Sequence, residues 1–126
     1  MNIPENLKYS EEHEWIRADG DNATIGITDF AQGQLGDIVY VEVETVDESL
    51  SQKEIFGTIE AVKTVTDLQM PVDGDVIEFN EQLADNPDII NSDPYGEGWI
   101  IKVKVKNQSQ LENLLSAKDY SEFIKE

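Results

Sequence analysis

The chain has 126 residues and carries 9 basic against 27 acidic side chains, a formal charge of −18. That balance argues against a phosphate backbone or an anionic membrane surface as partner, since both reward basic stripes. With no cysteine and a single histidine, His13, thiol nucleophiles, disulfides, zinc thiolate sites and multi-histidine metal sites are excluded, and a Ser-His-acid triad has only one possible base.

A chain this long buries enough apolar surface to fold as one domain, residues 1–126, without a metal or disulfide staple. No stretch approaches a membrane span, and residues 1–10 resemble neither a secretory signal nor a transit peptide, so a soluble cytoplasmic protein is expected. The acids are spread evenly, 14 in residues 1–60 and 13 in residues 61–126, as on a solvated surface rather than a tail.

Short strands dominate the pattern. Residues 9–17 and 23–27 read as extended segments joined across Asp19-Gly20-Asp21-Asn22. Asp19 and Asp21 suggest calcium ligands, but Thr24 stands where an EF-hand loop needs glycine, so the tetrad reads as a hairpin turn. Thr28-Asp29 caps a short helix running to Leu35, and Gly36 stops it. Strand patterns follow over residues 37–44, 55–62, 66–72, 74–80 and 98–106. The last is the cleanest, with Trp99, Ile101, Val103 and Val105 directed inward and Lys102, Lys104 and Lys106 outward.

Ser109-Gln110-Leu111-Glu112 has the form of a capping box opening a C-terminal helical segment, about residues 108–125. Its second helix, over 117–124, is expected to bury Tyr120, Phe123 and Ile124. One internal echo links Gly36-Asp37-Ile38-Val39 to Gly74-Asp75-Val76-Ile77, each read as a turn that opens a strand. It suggests a pseudo-symmetric pairing of two small antiparallel sheets.

The informative residue is Lys63. It falls where two strand-like runs, within about 55–72, must reverse direction. A lysine at a rigid hairpin tip is open to a modifying enzyme and suits the base of a covalent arm that visits several active sites. Glu60 and Asp67 flank it, with no second basic residue near. No phosphate loop and no Gly-x-Gly-x-x-Gly accompanies it.

The segment Ile59-Glu60-Ala61-Val62-Lys63-Thr64-Val65-Thr66-Asp67 closely resembles the lipoylation segment of the glycine cleavage system H protein family. His13-Glu14-Trp15, Gly26-Ile27-Thr28-Asp29-Phe30-Ala31-Gln32, Leu35-Gly36-Asp37-Ile38-Val39, Asn80-Glu81 and the run from Asn91 to Trp99 resemble that family's other blocks, in order, over nearly the whole chain. Ala61 and Thr66 stand where members more often have serine, and members often have a proline in the stretch matching residues 44–47. Biotin carriers usually flank their lysine with methionine. Val62 and Thr64 stand there, which favours lipoate.

The resemblance implies a mainly β fold, a barrel-sandwich hybrid of the biotin/lipoyl carrier kind, with a short internal helix and C-terminal helices. It implies lipoate bound covalently as N6-lipoyllysine at Lys63, on a non-catalytic carrier. A monomer is expected separately, because no exposed apolar stripe is evident beyond the C-terminal helices. The expected partners are the glycine decarboxylase (P protein), the aminomethyltransferase (T protein), the dihydrolipoyl dehydrogenase (L protein), and a lipoate ligase or octanoyl/lipoyl transferase. An arm ending in a cationic aminomethyl group would need a cleft with apolar walls and a carboxylate. Glu14 and Asp67 are the candidate acids, Trp15 or Phe30 the candidate wall, and Glu60 a candidate recognition residue for the attaching enzyme. His13 reads as a structural imidazole. Two other readings remain open: a relay supplying lipoate to 2-oxoacid dehydrogenase subunits, and an unmodified acidic binding module of the same fold.

Overall fold

The computed structural model describes residues 2–125. In chain order the elements are β1 (Lys8–Tyr9), β2 (Glu14–Asp19), β3 (Asn22–Ile27), α1 (Asp29–Leu35), β4 (Ile38–Glu42), β5 (Ser49–Leu50), β6 (Ile55–Ala61), β7 (Val65–Gln69), β8 (Gly74–Phe79), α2 (Gln82–Asp85), α3 (Ile89–Ser92), β9 (Ile101–Val105), α4 (Ser109–Glu112) and α5 (Ala117–Phe123). The strands form two antiparallel sheets of unequal size, a six-stranded one ordered β1-β2-β3-β9-β8-β5 and a three-stranded one ordered β4-β6-β7. Neither closes into a barrel. The mainly β expectation holds, with sheets less alike than the internal echo suggests.

The core lies where alternation places it. Ile38, Val41, Ile59 and Leu68 from the small sheet join Ile16, Ile25, Val76, Ile101 and Val103 from the large one in one buried cluster. A second cluster of Leu7, Tyr9, Trp15, Ala117 and Tyr120 lies beneath α5, with the rings of Tyr9 and Tyr120 stacked at 4.7 Å. Asp19 pairs with Asn22 across Gly20, whose φ is 65°, so that tetrad is the expected hairpin turn. Thr28 caps α1 by accepting the Ala31 amide, and Gly36 ends it at φ 79°.

Several expectations are corrected. Residues 9–17 are not one strand. The chain folds back between Tyr9 and Glu14, pairing Tyr9 with Trp15, with His13 at φ 73° and its amide donating to the Ser10 carbonyl. Ser10-Glu11-Glu12-His13 contains no glycine, proline or asparagine to announce that turn. The echo is also less than symmetric. Gly36 supplies a positive φ, whereas Gly74 begins β8 because a Cβ there would lie 2.8 Å from the Lys104 carbonyl oxygen.

In the last strand Ile100 and Ile101 are both fully buried. The inward alternation therefore starts at Ile101, and Trp99 is only half-buried, with Lys102 Nζ 4.9 Å from its ring. The capping box does not form. Asn107 Oδ1 accepts both the Ser109 amide and its hydroxyl, so α4 begins after Gln108 without a side-chain cap. In α5 Tyr120 is buried as expected, while Phe123 remains 42% exposed.

Candidate functional site

Lys63 occupies the tip of the β6–β7 hairpin and is exposed. The turn beneath it is fixed twice. The Ala61 amide donates to the Thr64 carbonyl at 2.8 Å, and the Val62 amide donates to the Asp37 carbonyl at 3.0 Å. Asp37 is itself held from behind. The Asn91 side chain accepts the Ile38 amide at 3.0 Å and donates to the Gly36 carbonyl at 2.9 Å, so α3 clamps the chain on both sides of Asp37. The result is a lysine whose backbone is fixed and whose side chain is not. The ion pairs among the described residues, Lys102–Glu78 and Lys106–Asp75, do not involve it.

From that tip β7 runs along one wall of a cleft of about 290 Å³. The Ser10–Glu14 turn and α1 form the other walls. Apolar contact comes from Ile27, Phe30, Leu35 and Leu68, and acids from Glu12, Glu14 and Asp67. Glu14 is only 2% exposed. The Ser10 hydroxyl donates to its Oε1 at 2.6 Å and the Gln69 amide to its Oε2 at 3.2 Å, while the Glu14 amide donates back to Ser10 Oγ at 3.1 Å. Burial nevertheless outweighs these bonds and pushes the carboxyl up to about 7. A carboxylate desolvated this far gains most from an incoming cation, because low dielectric strengthens the pairing.

Four of the six sequence candidates lie at the hairpin tip or in the cleft walls: Lys63 at the tip, and Glu14, Phe30 and Asp67 in the walls. Trp15 does not line the cleft. Neighbouring strand residues point to opposite faces, so the turn that aims Glu14 into the cleft sends Trp15 into the second core cluster, where its indole N–H donates to the Pro94 carbonyl at 3.0 Å. Glu60 lies on the outer face of the small sheet, in register with Tyr40 and Val65, away from the cleft. On that sheet and its turn Val39, Tyr40, Ile55, Val62 and Val65 are exposed, which the composition did not announce.

Among the further lining residues not anticipated in this role are the polar side chains of Glu12, Gln34 and Thr66. Gln34 was legible, since it lies four residues from Phe30 on a helix and so shares its face. His13 also lines the cleft, in addition to its structural bond to Tyr120.

An unequal pair of antiparallel sheets that presents one clamped, solvent-facing lysine beside an acid-floored apolar cleft defines a carrier domain. The family described as Glycine cleavage H-protein matches residues 7–126. A glycine cleavage system H protein of Bacteroides fragilis is 56% identical over 124 residues, covering 98% of each chain. One from Staphylococcus carnosus is 52% identical over the full length of both. The crystal structure of a glycine cleavage system H protein from Mycobacterium marinum superimposes with a TM-score of 0.86 at 38% identity, covering 95% of this chain and 97% of that one. The chain belongs to the glycine cleavage H-protein family.

Proposed function

We propose that this protein is the lipoyl carrier of a glycine cleavage system, with lipoate joined by an amide to Lys63 and the arm resting in the β7 cleft when loaded. The observation that carries this is the pairing of an exposed lysine side chain, on a turn held by two backbone hydrogen bonds, with an apolar cleft that starts beside the turn and ends on a buried acid. The residues present fit such a group. From Val65 to Gln69 the strand covers about 13 Å at ordinary strand rise, and the cleft wall passes from Thr66 and Asp67 near the tip to Glu14 at the Gln69 end.

Bound lipoate supplies a disulfide that takes up the aminomethyl group and a dithiol that is later reoxidised. The chain's part is to anchor, to shelter and to present. Glu14 and Asp67 hold a cationic amine. Ile27, Phe30, Leu35 and Leu68 exclude water from the arm. Glu60 and the apolar residues beside Lys63 offer a recognition face to the attaching enzyme. The chain itself is non-catalytic in this reading. Catalysis belongs to the decarboxylase (P protein), the aminomethyltransferase (T protein) and the dihydrolipoyl dehydrogenase (L protein), the enzymes the arm visits. No helix among the described residues is long and apolar enough to cross a membrane.

The test is intact mass of the protein from cells supplied with lipoate, with Lys63→Arg in parallel. Arginine keeps the charge and cannot be acylated in this way. A lipoyl or octanoyl increment on the native chain that Lys63→Arg lacks, with glycine cleavage abolished and the fold intact, is the expected result. A native chain without an increment makes it an unmodified binding module. Loss of lipoate from dehydrogenase subunits when the gene is deleted would point to the relay role instead.

A further inference from the structure

The acid end of the cleft holds one more polar group, and the hydrogen bonds behind it fix its state. His13 packs between Phe30 at 5.0 Å and Phe123 at 6.0 Å and lines the cleft next to Glu14. Its Nδ1 lies 2.9 Å from the Tyr120 hydroxyl. That hydroxyl lies 2.7 Å from Thr28 Oγ1, which accepts the Ala31 amide at 3.1 Å.

Thr28 is fully buried, so its hydroxyl hydrogen has no water to reach, and a buried donor left without an acceptor is costly. The acceptor within range is the Tyr120 oxygen. Thr28 therefore donates to Tyr120, and Tyr120 donates to His13 Nδ1. The imidazole closes the chain as an acceptor and carries its hydrogen on Nε2. Among the described residues Nε2 has no hydrogen-bond partner, and no buried side-chain nitrogen or oxygen there lacks one, so Nε2 is open to solvent. Burial also lowers the basicity of the ring, only partly opposed by the Glu12 carboxylate. A proton on Nδ1 would collide with the Tyr120 hydroxyl hydrogen. The ring is held neutral, with one donor aimed outward.

We propose that His13 is an arm-binding residue, donating from Nε2 to the sulfur of the arm that does not carry the aminomethyl group. The proposal rests on the carrier reading above. The head of a loaded arm has two polar demands side by side. Its ammonium is met by Glu14 and Asp67, and its remaining sulfur is a hydrogen-bond acceptor. A neutral donor meets the second demand without repelling the first, as an imidazolium or lysine would. Among the lining residues Gln34 and Thr66 are the other neutral side-chain donors. Gln34, however, is exposed on α1, with no hydrogen bond among the described residues to fix its amide. Thr66 lies toward the hairpin tip, three residues along β7 from the Gln69 amide that meets Glu14.

Two measurements test this. Long-range proton–nitrogen correlation of the His13 ring in the native protein reads the tautomer directly. The Nε2–H form is expected, and the Nδ1–H form overturns the proposal. The second is the rate at which iodoacetamide alkylates the remaining thiol of the loaded, lipoylated protein. Losing one hydrogen bond should speed alkylation about 5-fold in His13→Phe, which keeps the aromatic packing. Tyr120→Phe, which removes only the hydroxyl that sets the tautomer, should speed it about 2-fold. An unchanged rate in His13→Phe, while Glu14→Gln still speeds alkylation, overturns the His13 assignment alone. An unchanged rate in both places the arm outside the cleft and overturns the cleft reading, and this proposal with it.

Discussion

Glu14 concentrates the tension between stability and function in one side chain. Its carboxyl titrates near 7 because burial disfavours the charged form, whereas in the unfolded chain it titrates near its ordinary value. Between those two values the folded state holds a proton that the unfolded state has already released, so stability falls as pH rises through that window, by roughly 3 kcal/mol in all. Glu14→Gln removes the titrating group. Urea unfolding from pH 4 to 8 should show that downward slope flattened in the variant, with the unloaded variant the more stable protein at pH 8. The same change should shorten the lifetime of the loaded arm, since the neutral amide no longer pairs with its ammonium. A variant as pH-dependent as the native chain would show that Glu14 ionises freely. Trp15, next in sequence, offers a structural contrast. A Cβ at Gly26, its cross-strand partner, would lie 2.8 Å from the indole ring. The rigid ring has no room to retreat, so Gly26→Ala should cost about 1–3 kcal/mol in urea unfolding with little effect on lipoylation of Lys63.

At the scale of elements, one hairpin is held from behind by its neighbours. The Val62 amide leans on the Asp37 carbonyl, and Asn91 on α3 fixes the residues on both sides of Asp37 while also donating to Gln32 on α1. Asn91→Leu removes these bonds and leaves the Ile38 amide unpaired in a part-buried position, a loss of about 2–4 kcal/mol. It should also slow attachment of lipoate, because the tip lysine is no longer presented on a fixed turn. Unchanged attachment kinetics in a destabilised variant would separate the clamp from presentation. These elements were unevenly legible in sequence. The longer strands from β3 onward and the Thr28 cap follow from alternation and cap chemistry, and the Lys63 reversal from the strand runs on either side of it, whereas the two-residue strand β5 has no such signal. The Tyr9–Glu14 reversal does not, because no turn residue marks it and its cause is tertiary: Tyr9 and Trp15 pair so that both rings reach the cluster under α5. The failed capping box has a local cause, the Asn107 side chain taking the Ser109 donors first. Of the cleft, Glu14, Phe30 and Asp67 were found through their motif blocks. Glu12 and His13 enter it only because of the unannounced turn, and the same turn sends Trp15 away.

For the whole molecule, the charge of −18 acquires a distribution. Lys102, Lys104 and Lys106 all lie on or just beyond β9, in the large sheet, and two of them pair with Glu78 and Asp75. On the small sheet that carries Lys63 the picture differs. Glu60 and Asp67 sit on the hairpin strands, Glu42 and Glu44 lie on and just beyond the paired strand β4, and Val62, Val65 and Tyr40 are exposed among them. The Glu42 carboxyl is raised from its ordinary value by its hydrogen bond and repulsion with Glu44, so negative charge crowds at that pair. Acylation of Lys63 removes the one positive charge at the tip and makes the face more negative still. A partner that docks here is therefore expected to offer a basic rim around an apolar centre, and long-range attraction would speed its approach. The association rate of the lipoylated protein with the decarboxylase should fall at least about 10-fold between 0.02 and 0.2 M salt, with the dissociation rate changing much less. Glu42→Gln with Glu44→Gln should reduce that salt dependence, whereas neutralising Asp85 and Asp88, carried on and beside α2 and α3, should leave it nearly unchanged. Stopped-flow rates over that salt range decide the matter. Equal effects from the two double variants would mean that only the overall charge steers the encounter and that the Lys63 face has no special part in it.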